Sequence, residues 1–301
     1  MKRLVRPYLS YGILAVLYVL LNLFITPNAA TRQYNLSVDE YRIMITTIIL
    51  PVVAIWFAAF YGYEKMRAYA QAIRKSPEGP AFSDMANGAA WLAWSLPIPA
   101  IISTILLGVG PNHVTLHSAA IIINNYLAIA FALVIFTVIG RATRKLSEVG
   151  RVRPTLFGTQ VMIGSFVVLG VLYCYFTLHN IEPHVVTNPY HLPLWLILLT
   201  VIIPYLYAWF MGLLAAYEIS LYSKKSKGIF YRQALHLLSL GVVIVILASI
   251  MIQYLSSISP RLSHLRLNSY LIIIYLLLIV YSLGYILIAL GAKKLKRIEE
   301  V

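Results

Sequence analysis

The chain of 301 residues has one cysteine, Cys174, so it holds no intrachain disulfide and no thiol cluster for metal or redox chemistry. It is also poor in charge. Only 11% of its residues are charged and only ten are acidic, which would leave a soluble fold of this length short of polar surface. No P-loop, GxSxG, HExxH or dinucleotide fingerprint occurs, so no cofactor is implied and no catalytic residue stands out. The formal net charge is +14. Nucleic-acid binding would need basic residues gathered on a water-facing module, and no soluble segment is long enough to form one.

What the chain does have is apolar sequence, at 60% of its residues and a mean hydropathy of +0.81. Eight apolar segments stand out, at about 8–26, 43–63, 89–109, 118–140, 157–178, 193–221, 234–255 and 269–291. Each is near or above the ~20 residues a helix needs to cross a ~30 Å hydrocarbon core. The expected fold is all-α, a polytopic membrane protein of eight transmembrane helices. The first segment follows a basic start, but its 19 apolar residues, Tyr8 to Thr26, exceed the roughly 7–15 of a signal peptide's core. It is expected to be a retained helix.

Lys and Arg set the orientation. Both termini and the even-numbered connections hold 20 of the 24 basic residues, while the opposite loops hold Arg32, Arg42, Arg261 and Arg266. Both termini are therefore expected in the cytoplasm of a multi-pass cell-membrane protein, with a prokaryotic inner membrane as the default. The positive charge reads as a topology signal, with the lipid bilayer as partner.

The chain also repeats itself. Thr47 to Glu64 (TIILPVVAIWFAAFYGYE) recurs at Thr200 to Glu218 (TVIIPYLYAWFMGLLAAYE), and a shift of 153 carries Thr47 to Thr200, Pro51 to Pro204 and Trp56 to Trp209. With only five tryptophans in the chain, chance explains this poorly. Weaker identities extend the match, at an offset of 151 in the fourth helix and 144 in the third. The fall to 144 puts about nine extra residues in the SPEGPAFSD stretch after Ser76. Two units are expected, 1–150 and 151–301, as parallel four-helix repeats about an axis along the membrane normal.

Chemistry inside the bilayer would show as buried charge, and none is visible in the expected spans. Glu64 and Glu218 fall at cytoplasmic helix ends, within reach of water, Lys65 or Lys224. A proline within a helix frees the carbonyl four residues earlier, here that of Thr47 or Thr200. The candidate path is therefore Thr47, Pro51, Trp56, Thr200, Pro204 and Trp209, with Asn124 and Asn125 as polar residues along the fourth helix. Pro97 and Pro99 interrupt the third helix, where its counterpart has Gly241. Trp91 and Trp94 fit the interfacial aromatic belt.

These features point first to a permease-like protein that binds or passes a neutral or amphiphilic solute, a lipid included, between the repeats. One alternative is a non-transporting scaffold, assembly factor or sensor acting through basic cytoplasmic turns at 64–88, 141–156 and 224–232. The other is a metal-dependent membrane enzyme using outer histidines: His113 and His117 at helical spacing, with His184 or His191. The site as such implies no metal.

Overall fold

In hydrocarbon no water takes up free N–H and C=O groups, so apolar runs of this length satisfy their backbones as helices. A computed structural model describes residues 2–25, 38–109, 114–152, 155–180, 194–226, 228–258 and 267–299, and every element among them is helical. The helices are α1 (Lys2–Leu20), α2 (Val38–Ala72), α3 (Gly79–Ser95), α4 (Pro97–Val109), α5 (Val114–Val149), α6 (Leu156–Asn180), α7 (Leu194–Ile197), α8 (Ile203–Lys225), α9 (Ile229–Ile258) and α10 (Leu267–Glu299). Six stretches are long and apolar enough to cross a membrane: Ile45–Ala72, Gly79–Ile102, Tyr126–Val149, Leu198–Lys225, Ile229–Met251 and Ile272–Arg297. The apolar stretches found in α1 and α6 are shorter, Tyr8–Phe24 and Gly158–Leu172. Among the described residues, the eight expected segments thus appear as six full spans and two shorter ones.

The prolines act unequally. At Pro97 the missing N–H ends one helix and starts the next, so α3 and α4 meet at Leu96. Pro51 sits inside an unbroken α2. Pro204 opens α8, directly after a π-helical turn, Leu198–Ile202, that links it to α7.

The helices that carry the six long apolar stretches pack in a closed order. α2 lies on α3, α3 on α5, α5 on α8, α8 on α9, α9 on α10, and α10 returns to α2. α1 lies outside this ring against α4 and α2, and α6 lies outside it against α9 and α8. Aromatic side chains fasten α1: the buried Tyr11 stacks on Phe60 at 4.4 Å, meets Trp94 edge-on at 5.2 Å and bonds through its hydroxyl to the Ala93 carbonyl. Phe166 of α6 meets Phe210 at 5.1 Å. The outer faces are apolar, with Leu9, Ile13 and Val16 of α1 and Val161, Val168 and Val171 of α6 all exposed. Water would not tolerate an apolar surface of that extent, and lipid does.

Burial repeats along the chain. The buried Ile49, Ile55, Trp56, Ala59, Gly62, Met66, Tyr69 and Ala70 of α2 each have a buried residue 153 positions later, including Trp209 and Tyr222 in α8. In α5, Ile135, Phe136, Ile139, Gly140, Ala142, Thr143 and Leu146 each have a buried residue 149 positions later in α10. This burial pattern recurs at 149, where residue identity suggested 151. Polar contacts keep the same step: Lys145 donates to Asp84 at 2.6 Å, and 149 positions on Lys294 donates to Gln233 at 3.0 Å.

These contacts lie at the basic end, which is more helical than its charge suggested. The expected turns at 64–88, 141–156 and 224–232 are mostly helix: α2 runs to Ala72, α5 to Val149 and α8 to Lys225. Lysine and arginine mark where the chain leaves hydrocarbon, but both are good helix formers, so the helices continue into the interface. Side chains close this end across the ring. Tyr222 of α8 donates to Glu78, ahead of α3, and Lys225 reaches the Arg151 carbonyl at 2.8 Å.

Candidate functional site

The residues expected to line a path are placed separately. Thr47 is exposed and bonds back within α2 to the Ile43 carbonyl at 2.8 Å; Thr200 does the same to Leu196 at 2.7 Å. Threonine commonly makes such a bond in helices. Thr200 also meets the Tyr126 hydroxyl of α5 at 2.8 Å, a partner the sequence did not suggest. Pro51 and Pro204 are half-buried. Trp56 and Trp209 are core residues at 2% exposure, Trp56 against Tyr18 of α1 at 4.8 Å and Trp209 against Tyr205 at 5.6 Å. Asn124 and Asn125 lie on α5 with side chains outside those described. The outer histidines His113, His117, His184 and His191 also fall outside the described side chains, and among the described residues no cluster could hold a metal ion.

The described structure gathers its most varied chemistry at the basic end, in a groove of about 630 Å³ where α5, α6 and α8 meet. Helical spacing builds the α5 side. Arg144, Ser147 and Glu148 fall at i, i+3 and i+4 and so along one face of α5, while Arg151 lies two residues past the helix end, in a turn with a left-handed backbone (φ 46°). Thr159 and Met162 come from α6, and Leu214, Tyr217, Glu218 and Leu221 from α8. Spacings of three and four again put the α8 set on one side.

Arg144 is 3.5 Å from Glu148, an exposed pair whose hold on either charge is weak. Glu218 is half-buried and accepts from Thr143 of α5 at 2.6 Å, a bond that ties α8 to α5. The sequence pointed to water, Lys65 or Lys224 for this carboxylate and did not suggest Thr143. Tyr217 reaches the Thr155 carbonyl at 3.4 Å and closes the groove towards α6. Among the described residues the buried Ser147 hydroxyl oxygen has no hydrogen-bond partner. Apolar surface from Val152, Met162, Leu214 and Leu221 faces the arginines. Such a groove can hold an anionic group against Arg144 and Arg151 and a hydrocarbon chain against the aliphatic wall.

Sequence reasoning counted Arg144 and Arg151 as topology charges only. Only Arg144 lies on α5, which stays helical to Val149; Arg151 comes to the groove through the turn that follows, which spacing does not reveal. The Thr143–Glu218 bond joins positions 75 apart and left no local signal. No family model, curated protein or solved structure matches the chain.

Proposed function

We propose that this chain is a multi-pass membrane protein built as two parallel four-helix units, 1–150 and 151–301, that binds an amphiphile with an anionic head in the groove between α5, α6 and α8. The groove lies between the units, since α5 belongs to the first and α6 and α8 to the second. The observation that carries the assignment is two guanidinium groups facing an aliphatic wall beside a buried, unpartnered hydroxyl. The repeated burial and the closed packing order support two related units. Positive charge at the groove end supports a cytoplasmic location for that end, in keeping with a prokaryotic inner membrane. On this account the protein is permease-like, handling a lipid or a lipid-like solute. Thr47 and Pro51 of α2, and Thr200 and Pro204 around the start of α8, belong on this account to the outer halves of two helices whose core residues include Trp56 and Trp209.

A scaffold role is favoured by one observation, the close seams of small residues: a Cβ on Gly62 would lie 3.3 Å from the backbone of Ala289. Ligand binding separates the two. The detergent-purified protein is melted with an anionic single-chain phospholipid and with an uncharged amphiphile of equal chain length. A ligand that binds only the folded state raises its apparent stability. The expected result is a higher melting temperature with the anionic amphiphile alone, abolished in Arg144→Gln/Arg151→Gln. Equal shifts for both amphiphiles, or an undiminished shift in the double variant, would remove the assignment.

A further inference from the structure

A second groove, between α3 and α5, has chemistry graded by depth. It encloses about 320 Å³ and is lined by Asp84, Asn87, Ala90 and Trp91 of α3 and Val138 and Arg141 of α5. The two helices run in opposite directions, and the Lys145–Asp84 ion pair at 2.6 Å fixes their relative level at the basic end. A helix rises 1.5 Å per residue, so Asn87 lies about 4.5 Å and Trp91 about 10.5 Å below Asp84 towards the apolar spans. On α5, Arg141 lies about 6 Å below Lys145, level with Asn87, and Val138 lies level with Trp91. The contact a Cβ on Gly88 would make with Ile139 independently fixes this register. From the aqueous end inward the groove therefore presents a carboxylate, then a guanidinium beside an amide, then an indole, then aliphatic surface. Trp91 is 46% exposed, with its ring tilted against Phe131 at 6.1 Å.

We infer that this groove binds a zwitterionic phospholipid with a primary-amine headgroup. Its ammonium lies at Asp84, its phosphate at Arg141 and Asn87, its ester region at the Trp91 indole, and its acyl chains run below Val138. A phospholipid has the same order of groups along its length. Arginine takes phosphate through a planar fork of donors, and indole sits by preference at headgroup level. A primary ammonium brings three N–H donors to the carboxylate, and an N-trimethyl headgroup brings none. The site is separate from the groove between α5, α6 and α8, and its ligand is zwitterionic.

The test uses the full-length protein in nanodiscs holding equal amounts of phosphatidylethanolamine and phosphatidylcholine with matched chains. Lipids retained on release into detergent are counted by native mass spectrometry. A charge-assisted hydrogen bond is worth about 1.5–3 kcal/mol, so the protein is expected to keep the primary-amine lipid at least about ten-fold over its trimethyl analogue. Asp84→Asn is expected to bring the ratio to near one, and Arg141→Gln to lower retention of both lipids. Lys145→Gln breaks the ion pair but keeps the carboxylate, and is expected to preserve the ratio. No preference in the unmodified protein, an Asp84→Asn ratio left unchanged, or loss of preference in Lys145→Gln would each overturn the assignment. A preference for the trimethyl lipid would do so too, since Trp91 would then hold the cation through its ring face.

Discussion

Trp209→Ala is expected to lower the stability of the helical bundle by about 3–5 kcal/mol, the range for truncating a large buried aromatic side chain. Trp209 is 2% exposed, stacks on Tyr205 with an interplanar angle of 26°, and lies on α8 between its ring neighbours α5 and α9. Neighbouring helices cannot collapse into the space without moving against both other faces, so the cavity would persist. The other buried tryptophan, Trp56, gives an internal comparison. Trp56→Ala empties the equivalent position on α2, where Tyr18 of α1 covers the ring at 4.8 Å. Because α1 lies outside the ring and can shift inward, its loss is expected to be the smaller. Thermal unfolding of both variants in one detergent would check the order, and an equal or reversed ranking would contradict the closed packing.

Gly241→Ala is expected to destabilise the protein by about 1–3 kcal/mol, the cost of overpacking a seam that cannot relax. A Cβ at Gly241 would lie 2.7 Å from the Gly284 carbonyl oxygen and 2.9 Å from the Ile288 backbone nitrogen, so backbone has to move. A flexible side chain could rotate aside, but α10 would have to be displaced along its length. Gly164→Ala on α6 is the control, since a Cβ there meets nothing within 4 Å. Its melting temperature is expected to stay the same or rise slightly, because alanine favours the helix over glycine by about 0.8–1.0 kcal/mol. A Gly241→Ala protein as stable as Gly164→Ala would show that α9 and α10 do not meet this closely.

The parts of the architecture legible in the sequence were those carried by rare or costly residues. Trp56 and Trp209 suggested a repeat because tryptophan is scarce here, and both positions are buried. The fourth helix of each half was aligned through isoleucine, leucine and serine, which are common in any apolar run. Its identity register therefore differed by two residues from the 149 given by burial. Prolines advertised interruption without its form. Pro97 divides a helix in two, while the paired Pro51 and Pro204 stand in an unbroken helix and behind a π-helical turn.

The groove between α5, α6 and α8 was legible only in part. Arg144, Glu148 and Arg151 were visible as charge, but their meeting depends on a helix that carries Arg144 and Glu148 and on the left-handed turn at Arg151 that follows it. Glu218 looked like a solvated helix end because its partner, Thr143, belongs to the other half of the chain. Contacts of that sequence separation arise from how helices associate, and hydropathy carries no record of them.

The most direct test of the central claim asks what the protein carries out of its own membrane. The protein is purified in mild detergent and its bound lipids are measured by native mass spectrometry, beside Arg144→Gln/Arg151→Gln and a control, Arg74→Gln/Lys75→Gln. The control removes as much charge from exposed residues outside the groove. An anionic lipid retained by the unmodified protein and the control, and lost from the groove variant, is the predicted result. Equal loss from both variants would show that net charge alone holds the lipid, and equal retention by all three proteins would show that neither arginine holds it; either result would mean that the groove is not its site.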